Sequence, residues 1–547
     1  MVKFKKTTFI FWLILILGIF LRFAYLGSVP SALYTDEANQ GYNAYSLMKT
    51  GRDEHGAFMP VSLRSFGDWK PPIPTYLMIP FIFLFGLNET AVRLPSAIAG
   101  TASLWLFYLL ISHLLKNKKG RAKISLLGAY FMAISPWHIF QSRAAMLVSV
   151  SLLFVLLGIY LCLSVKNWKR FYLGIFVLGL SIYSYYATRI IVPFILIIIF
   201  FQQKIFLYKK VAIKSAVIFL IVLYPLLINF LKNPDVIFGR AKTVSVFYDQ
   251  GPQLRLWELI AQDGIGQDPF ISRFLHNQPY IYFKEITGNF FSHFNGKYLF
   301  LIGDNAQPFT IPGMGILYLI DGIFIFVGII FMIKNKYPYF SFLSLFLIIS
   351  IVPASLTFMV PSQNRTLYAV IPIMVFISVG VYWFVENKSF KKFSLIFSLF
   401  SYLICLTYFL NVYFLQLPLN FAHYWNYGWK QAVNYITLQE KNNDNIVISG
   451  KNGMPYIYLL FYKKYDPAKF QKTALRRNVA DRFGFEHVEE FDKYIFPQDM
   501  EWTYIKDNPL DDSIYIFPSE EIGESDSPDF EIKFPNGISA IKVFNIK

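Results

Sequence analysis

The chain has 547 residues, 55% of them hydrophobic and only 16% charged, with a mean hydropathy of +0.43 and a formal net charge of +17. Soluble domains carry about 25% charged residues, so the composition excludes an ordinary cytosolic globular protein, and the aromatic content of 19% excludes a disordered or fibrous chain. What remains is a polytopic α-helical membrane protein with substantial material outside the bilayer.

Eleven apolar runs are predicted to span the membrane: 8–26, 92–115, 124–135, 148–164, 171–187, 190–203, 213–231, 313–333, 340–358, 366–384 and 393–414. The first follows a basic amino end, is long for a signal-peptide core and lacks a good cleavage site at Ser28-Val29-Pro30-Ser31-Ala32. It is therefore read as a retained helix with a cytoplasmic N-terminus. This assignment puts all the short basic loops on one side, from Lys3, Lys5 and Lys6 through Lys166, Lys169 and Arg170 to Lys388, Lys391 and Lys392. That is the positive-inside pattern. Basic clusters parcelled between spans do not form the continuous stripe that nucleic acid requires. Cys162 and Cys405 both fall in apolar runs, so neither a disulfide framework nor a thiolate zinc site follows from them.

Three larger pieces then fall on the opposite, outer side: 27–91, 232–312 and 416–547. Two domains are expected, a membrane domain over 1–415 and an extracytoplasmic α/β domain over 416–547. The latter is predicted to contain helices at 428–440 and 454–465 and strands at 446–449, 514–517 and 541–546. No internal repeat is evident, which counts against a transporter built from two similar halves.

The first outer loop concentrates the chemistry. Thr35 is a plausible N-cap for a helix over 36–49 that Gly51 can end. Ala38, Tyr42, Tyr45 and Met48 share one face, which predicts an amphipathic helix lying in the membrane interface. Asp36 and Glu37 sit in its first turn, where the helix amino end favours their ionised forms. A second apolar stretch at 73–85, opened by Pro71-Pro72, is read as interfacial or re-entrant, because a crossing there would invert every later loop. Asp53, Glu54 and Asp68 read as solvated loop charges, and the Trp69-Lys70-Pro71-Pro72 run also suits an interfacial anchor.

Carboxylates and cations beside an apolar bundle suit a substrate with a lipid tail and a phosphate head. A lysine or arginine can neutralise the phosphate, and a carboxylate can take a proton from an attacking hydroxyl. No phosphate-binding or dinucleotide fingerprint is evident. His55, His138, His276 and His293 lack metal-ligand spacing, so no metal site is readable, although outer carboxylates could supply ligands to a divalent ion. Asp321 lies in a predicted span, where an acid is either functional or paired with a neighbouring helix.

The Asp36-Glu37 pair, Lys70-Pro71-Pro72 and Arg93-Leu94-Pro95-Ser96 resemble the GT-C glycosyltransferases, in particular the bacterial protein O-mannosyltransferase and aminoarabinose-transferase group. Ser135-Pro136-Trp137-His138, Ser142-Arg143-Ala144, Gly303-Asp304, Ile311-Pro312-Gly313-Met314-Gly315, Pro353-Ala354-Ser355-Leu356-Thr357, Arg365, Tyr427-Gly428-Trp429-Lys430 and Pro455-Tyr456-Ile457-Tyr458 extend the likeness along the chain. The resemblance implies a multi-pass plasma- or inner-membrane enzyme. It would move a sugar, with inversion, from a polyprenyl-phosphate donor to a hydroxyl on a protein, lipid or glycan outside the membrane. It implies Asp36 as the base, Glu37 as its support and Lys70 at the lipid phosphate. Arg93, Arg365, Asp304, Tyr42 and Trp69 are further substrate-binding candidates. One departure stands out: relatives often carry an acid shortly after the motif represented by Ser142-Arg143-Ala144, and here Ala145-Met146-Leu147-Val148 follows. Either Asp36 and Glu37 act without that partner, or another acid such as Asp304 takes its place, or activity is altered. The competing readings are a flippase for lipid-linked sugars and an inactive membrane scaffold.

Overall fold

The structure, a computed structural model, describes residues 6–546 apart from 166, 265–267, 387–389, 442, 452, 478, 482–483 and 524–525. Lys3, Lys5, Lys166 and Lys388 therefore lie outside the described residues. Contacts divide the chain into two units. One contains Met1–Ala24, Ile98–Ser142 and Met146–Phe409; the other contains Tyr25–Ala97, Arg143–Ala145 and Leu410–Lys547. The first outer loop thus groups with the carboxyl-terminal segment.

The first unit is helical. Among the described residues of the whole chain, five helices are long and apolar enough to cross a membrane: Lys6–Phe23, Glu89–Leu114, Lys209–Lys232, Leu367–Glu386 and Lys391–Asn420. A sixth span arises if Pro136–Arg143 and Leu147–Leu163, bent by 116° at their break, count together. The expected eleven are not matched helix for helix. Trp168–Ser181, Thr188–Gln202 and Phe340–Ser355 occupy expected runs with 14, 15 and 16 residues. At about 1.5 Å per residue they reach only ~21–24 Å, short of a hydrocarbon core of about 30 Å. Proline explains one interruption: helix Arg121–Ile134 stops before Ser135-Pro136, because a residue preceding proline is driven out of the helical region.

Gly328 and Gly380 let helices Leu319–Lys334 and Val370–Glu386 approach backbone to backbone, since a Cβ on either would collide with the other helix. Asp321 is paired within this unit: it accepts from Tyr402 Oη (2.7 Å) and from the Tyr318 amide (2.9 Å) at its own helix start. Segment 232–312 holds helices Asp235–Val244, Gln250–Gln262, Pro269–Leu275 and Gln278–Ser292, the last three capped by Asp249, Asp268 and Asn277.

In the second unit, helix Thr35–Thr50 starts one residue earlier than expected, with Tyr34 as N-cap, and ends at Gly51 in the left-handed region (φ 68°). It is not an interfacial helix with one wet face. Residues from Glu37 to Ala44 are buried, and Tyr42 and Ala38 join the core with Phe461, Leu460 and the sheet residues Ile446, Ile448 and Ile514. Gly41 makes this possible, because any side chain there would strike Phe461 and Val92.

The strands are β1 (Leu63–Ser65), β2 (Asp68–Lys70), β3 (Asn445–Ile448), β4 (Leu475–Arg476), β5 (Val488–Phe491), β6 (Tyr494–Ile495), β7 (Ser513–Pro518), β8 (Phe530–Lys533) and β9 (Ser539–Ile546). β1 and β2 form a hairpin. The other seven form one sheet in the order β4-β5-β6-β3-β7-β9-β8, with β3 parallel to β6 and β7 and the remaining pairs antiparallel. This fits the expected α/β architecture. Residues Ser513 to Phe517 of β7 are all buried, as in a central strand covered on both faces.

Candidate active site

The first turn of helix Thr35–Thr50 separates two adjacent acids. The Asp36 side chain is 44% exposed, and its Oδ1 accepts from Lys70 Nζ at 2.5 Å. Lys70 is held from the hairpin, where Leu63 pairs with Lys70 and Ser65 with Asp68 around the two-residue loop Phe66-Gly67. Both loop residues have positive φ (52° and 84°), the backbone that a tight hairpin requires. The Lys70 side chain is only 8% exposed and its ammonium lies 5.2 Å from the Phe66 ring centroid. A mostly buried cation thus touches a half-open carboxylate.

Glu37 has a different fate. Its side chain is 1% exposed; Oε1 accepts from Arg93 Nε (3.0 Å) and the Ala145 amide (2.7 Å), and Oε2 from Arg93 Nη2 (3.0 Å) and the Tyr34 amide (3.0 Å). Arg93, fully buried, spends its remaining N–H groups on the carbonyls of Leu26, Pro30 and Ala32. A guanidinium has five donors, so none is left for a substrate. The Ala145 amide directly follows Ser142-Arg143-Ala144. Beside it, Arg143 donates to the carbonyls of Tyr25 and Val29 and stacks 4.7 Å over Phe414.

The other expected residues are placed as follows. Tyr42 is fully buried and donates to the Tyr465 carbonyl at 3.1 Å, which makes it a packing residue. Trp69 is half-buried on β2. Asp304 and Arg365 belong to the first unit. Asp304 is buried and accepts from the amides of Ala306 (2.9 Å) and Gln363 (3.0 Å), and burial pushes its pKa up to about 6. Arg365 donates to Thr357 Oγ1 (2.9 Å) and the Met359 carbonyl (2.8 Å). Among the described residues no group of three or more His, Cys, Asp or Glu side chains is assembled to hold a metal ion.

Sequence reasoning missed the ring of groups that docks the helix. Glu54, read as a solvated charge, is fully buried and accepts from Asn39 Nδ2 (2.8 Å) and Asn43 Nδ2 (3.4 Å), while Arg476 donates to its carbonyl (2.8 Å). The spacing of Asn39 and Asn43, four apart on one helical face, is the signal that could have located this partner. Thr35 Oγ1 meets Tyr458 Oη at 2.9 Å and accepts from Asn426 Nδ2 at 3.4 Å. Tyr458 in turn stacks on Trp429 with ring centroids 5.8 Å apart.

Asp53 is buried too, its Oδ1 accepting from the amides of His55 (3.0 Å) and Ala57 (2.9 Å). Burial outweighs these bonds and raises its pKa from 3.8 to about 6. The folded state therefore holds this proton more tightly than the unfolded chain. The stabilisation is complete below pH 3.8 and is lost as the pH rises through about 6. Asp53→Asn keeps an acceptor oxygen and carries no charge. Thermal melts should show it at least as stable as the wild type at pH 7, with that relative advantage gone at pH 4. An unchanged pH profile would refute the assignment.

Residues 69–228 match the family described as dolichyl-phosphate-mannose-protein mannosyltransferase. ArnT from Cupriavidus metallidurans in its apo state superposes with a TM-score of 0.53, 11% identity and 97% of each chain covered. The same protein bound to undecaprenyl phosphate gives 0.54, 12% identity and 98% of each chain covered. The chain has the GT-C glycosyltransferase fold. No curated protein matches the sequence. With its apolar helices, this GT-C chain is a multi-pass membrane protein. Its Asp36–Lys70 contact lies within the unit that joins segment 25–97 to the carboxyl-terminal sheet.

Proposed function

We propose that the chain is a glycosyltransferase using a polyprenyl-phosphate-linked sugar and transferring it, with inversion, to a hydroxyl acceptor. The single observation that carries this reading is the Asp36–Lys70 pair, a partly open carboxylate in direct contact with a largely buried ammonium. The GT-C fold, the match to a family named for dolichyl-phosphate-mannose and the likeness to a protein crystallised with undecaprenyl phosphate support it.

Asp36 accepts the proton of the acceptor hydroxyl as its oxygen forms the new bond to the anomeric carbon. The bond from that carbon to the phosphate oxygen breaks, and the polyprenyl phosphate leaves with the electron pair. Lys70, beside Asp36, meets the charge that grows on the phosphate. Glu37 and Arg93 are proposed as the brace that fixes Asp36 rather than as contacts to substrate. In this reading the N-terminus is cytoplasmic, the membrane is the plasma or inner membrane, and segments 25–97 and 410–547 face outward.

Transfer assayed in proteoliposomes with a polyprenyl-phosphate sugar tests the proposal: wild-type protein should form a glycosidic product. Movement of the lipid without product would favour a flippase instead. Lys70→Ala is expected to raise the KM for the donor by about 10-fold or more, equivalent to about 1.4 kcal/mol, because the phosphate loses its charged partner. Normal donor KM and turnover in that variant would remove Lys70 from the phosphate.

A further inference from the structure

Given the transferase reading proposed above, we infer that Gln40 reads a hydroxyl of the transferred sugar and so sets which sugar the chain accepts. Gln40 stands four residues after Asp36 in helix Thr35–Thr50, one turn along the same face. That face is the one Lys70 meets, since Lys70 Nζ donates to Asp36 Oδ1. Helical side chains lean toward the amino end, so the Gln40 side chain leans toward the turn that holds Asp36. It is only 4% exposed, and its Oε1 is shut off from solvent without a hydrogen-bond partner.

Buried polar atoms nearly always have a partner, and the neighbours of Gln40 obey that rule. Asn39 and Asn43 donate to Glu54, and Glu37 accepts from Arg93 and two backbone amides. An apolar side chain of the same size would cost less than an amide left in this state. The amide therefore awaits a donor from outside the protein. A second orphan indicates its chemistry. Helix Ile73–Phe85 begins three residues beyond Lys70 and packs on helix Thr35–Thr50. In its first turn Thr75, 1% exposed, shares the buried face of Met78 and Ile82 and also leaves its Oγ1 without a partner. One helix thus offers an acceptor oxygen a turn past Asp36, and the other a hydroxyl just after Lys70-Pro71-Pro72. A guest that donates to the first and accepts from the second is itself a hydroxyl. A phosphate oxygen, which only accepts, cannot serve Gln40 Oε1. With Asp36 and Lys70 at the anomeric carbon and its phosphate, the sugar ring is the part of the donor that lies a helical turn away.

The test uses the full chain in proteoliposomes, wild type beside Gln40→Met, an unbranched side chain of similar reach without the amide. Donors are polyprenyl-phosphate-linked mannose, glucose, galactose and 4-amino-4-deoxyarabinose, each beside analogues lacking one hydroxyl. For the sugar that the wild type prefers, loss of one particular hydroxyl should lower kcat/KM by about 10-fold. Gln40→Met should lose a similar factor on the intact sugar and no longer distinguish it from that analogue. Its affinity for polyprenyl phosphate alone should stay unchanged. The variant should also melt at or above the wild-type temperature, because an unpaired buried oxygen is gone. Wild-type discrimination between intact and deoxy donors in Gln40→Met would overturn the role of Gln40 and leave the transferase reading standing. A melting temperature several degrees lower would show that the amide serves the fold, through a buried water for example, and would overturn that role equally. No product from the wild type with any of these donors would overturn the transferase reading and the role of Gln40 with it.

Discussion

Replacing Asp36 with asparagine is expected to lower sugar transfer by about 10²–10⁴-fold, the usual worth of a positioned general base. The substitution keeps the shape of the side chain and one acceptor oxygen for Lys70, but the amide cannot take a proton from the incoming hydroxyl. The loss should appear in turnover more than in donor KM, because Lys70 remains in place. Folding should hardly change: Asp36 is 44% exposed, and a solvent-screened pair contributes about 0–1 kcal/mol. Turnover at the wild-type level in the Asp36→Asn enzyme, measured on protein that melts normally, would refute the role of Asp36.

Arg93→Ala is expected to act in the opposite way, destabilising the fold by about 3–5 kcal/mol, as breaking a buried ion pair does. It takes the charged partner from the buried Glu37 carboxylate and the donors from the carbonyls of Leu26, Pro30 and Ala32. Glu37→Gln should cost less, since the amide keeps one oxygen for the Ala145 or Tyr34 donor. Thermal unfolding of the detergent-purified protein would separate the roles. A normal melt with weakened donor use in Arg93→Ala would mean that the guanidinium serves substrate instead of architecture.

The helical class, the carboxyl-terminal α/β part and the loop holding Asp36 and Lys70 were legible because they rest on local signals. Apolar runs, a change in composition at about 416 and a clustered motif all survive without knowledge of tertiary contacts. The number of long spans was not legible. The run expected over 171–187 leaves the helix after Ser181, giving the 14 residues of Trp168–Ser181, and hydropathy averages over that break. Burial was the other loss. Helix Thr35–Thr50 carries enough Asn, Gln and Ser to look half wet, yet Asn39 and Asn43 are internal because Glu54, eleven or more positions away, takes their donors. The separate fates of Asp36 and Glu37 were hidden for the same reason. Which of two adjacent acids receives an arginine depends on Arg93 and on the Ala145 amide, both distant in sequence.

The β1–β2 hairpin carries a constraint on how such chains can change. Lys70 reaches Asp36 from a ribbon whose neighbours point alternately up and down, around a loop of only two residues. Deleting or adding a single codon between Leu63 and Lys70 would swing the ammonium to the far side and bring Trp69 or Pro71 round in its place. Lineages that lengthen this ribbon must therefore do so in pairs, or move the lysine one step along the gene at the same time.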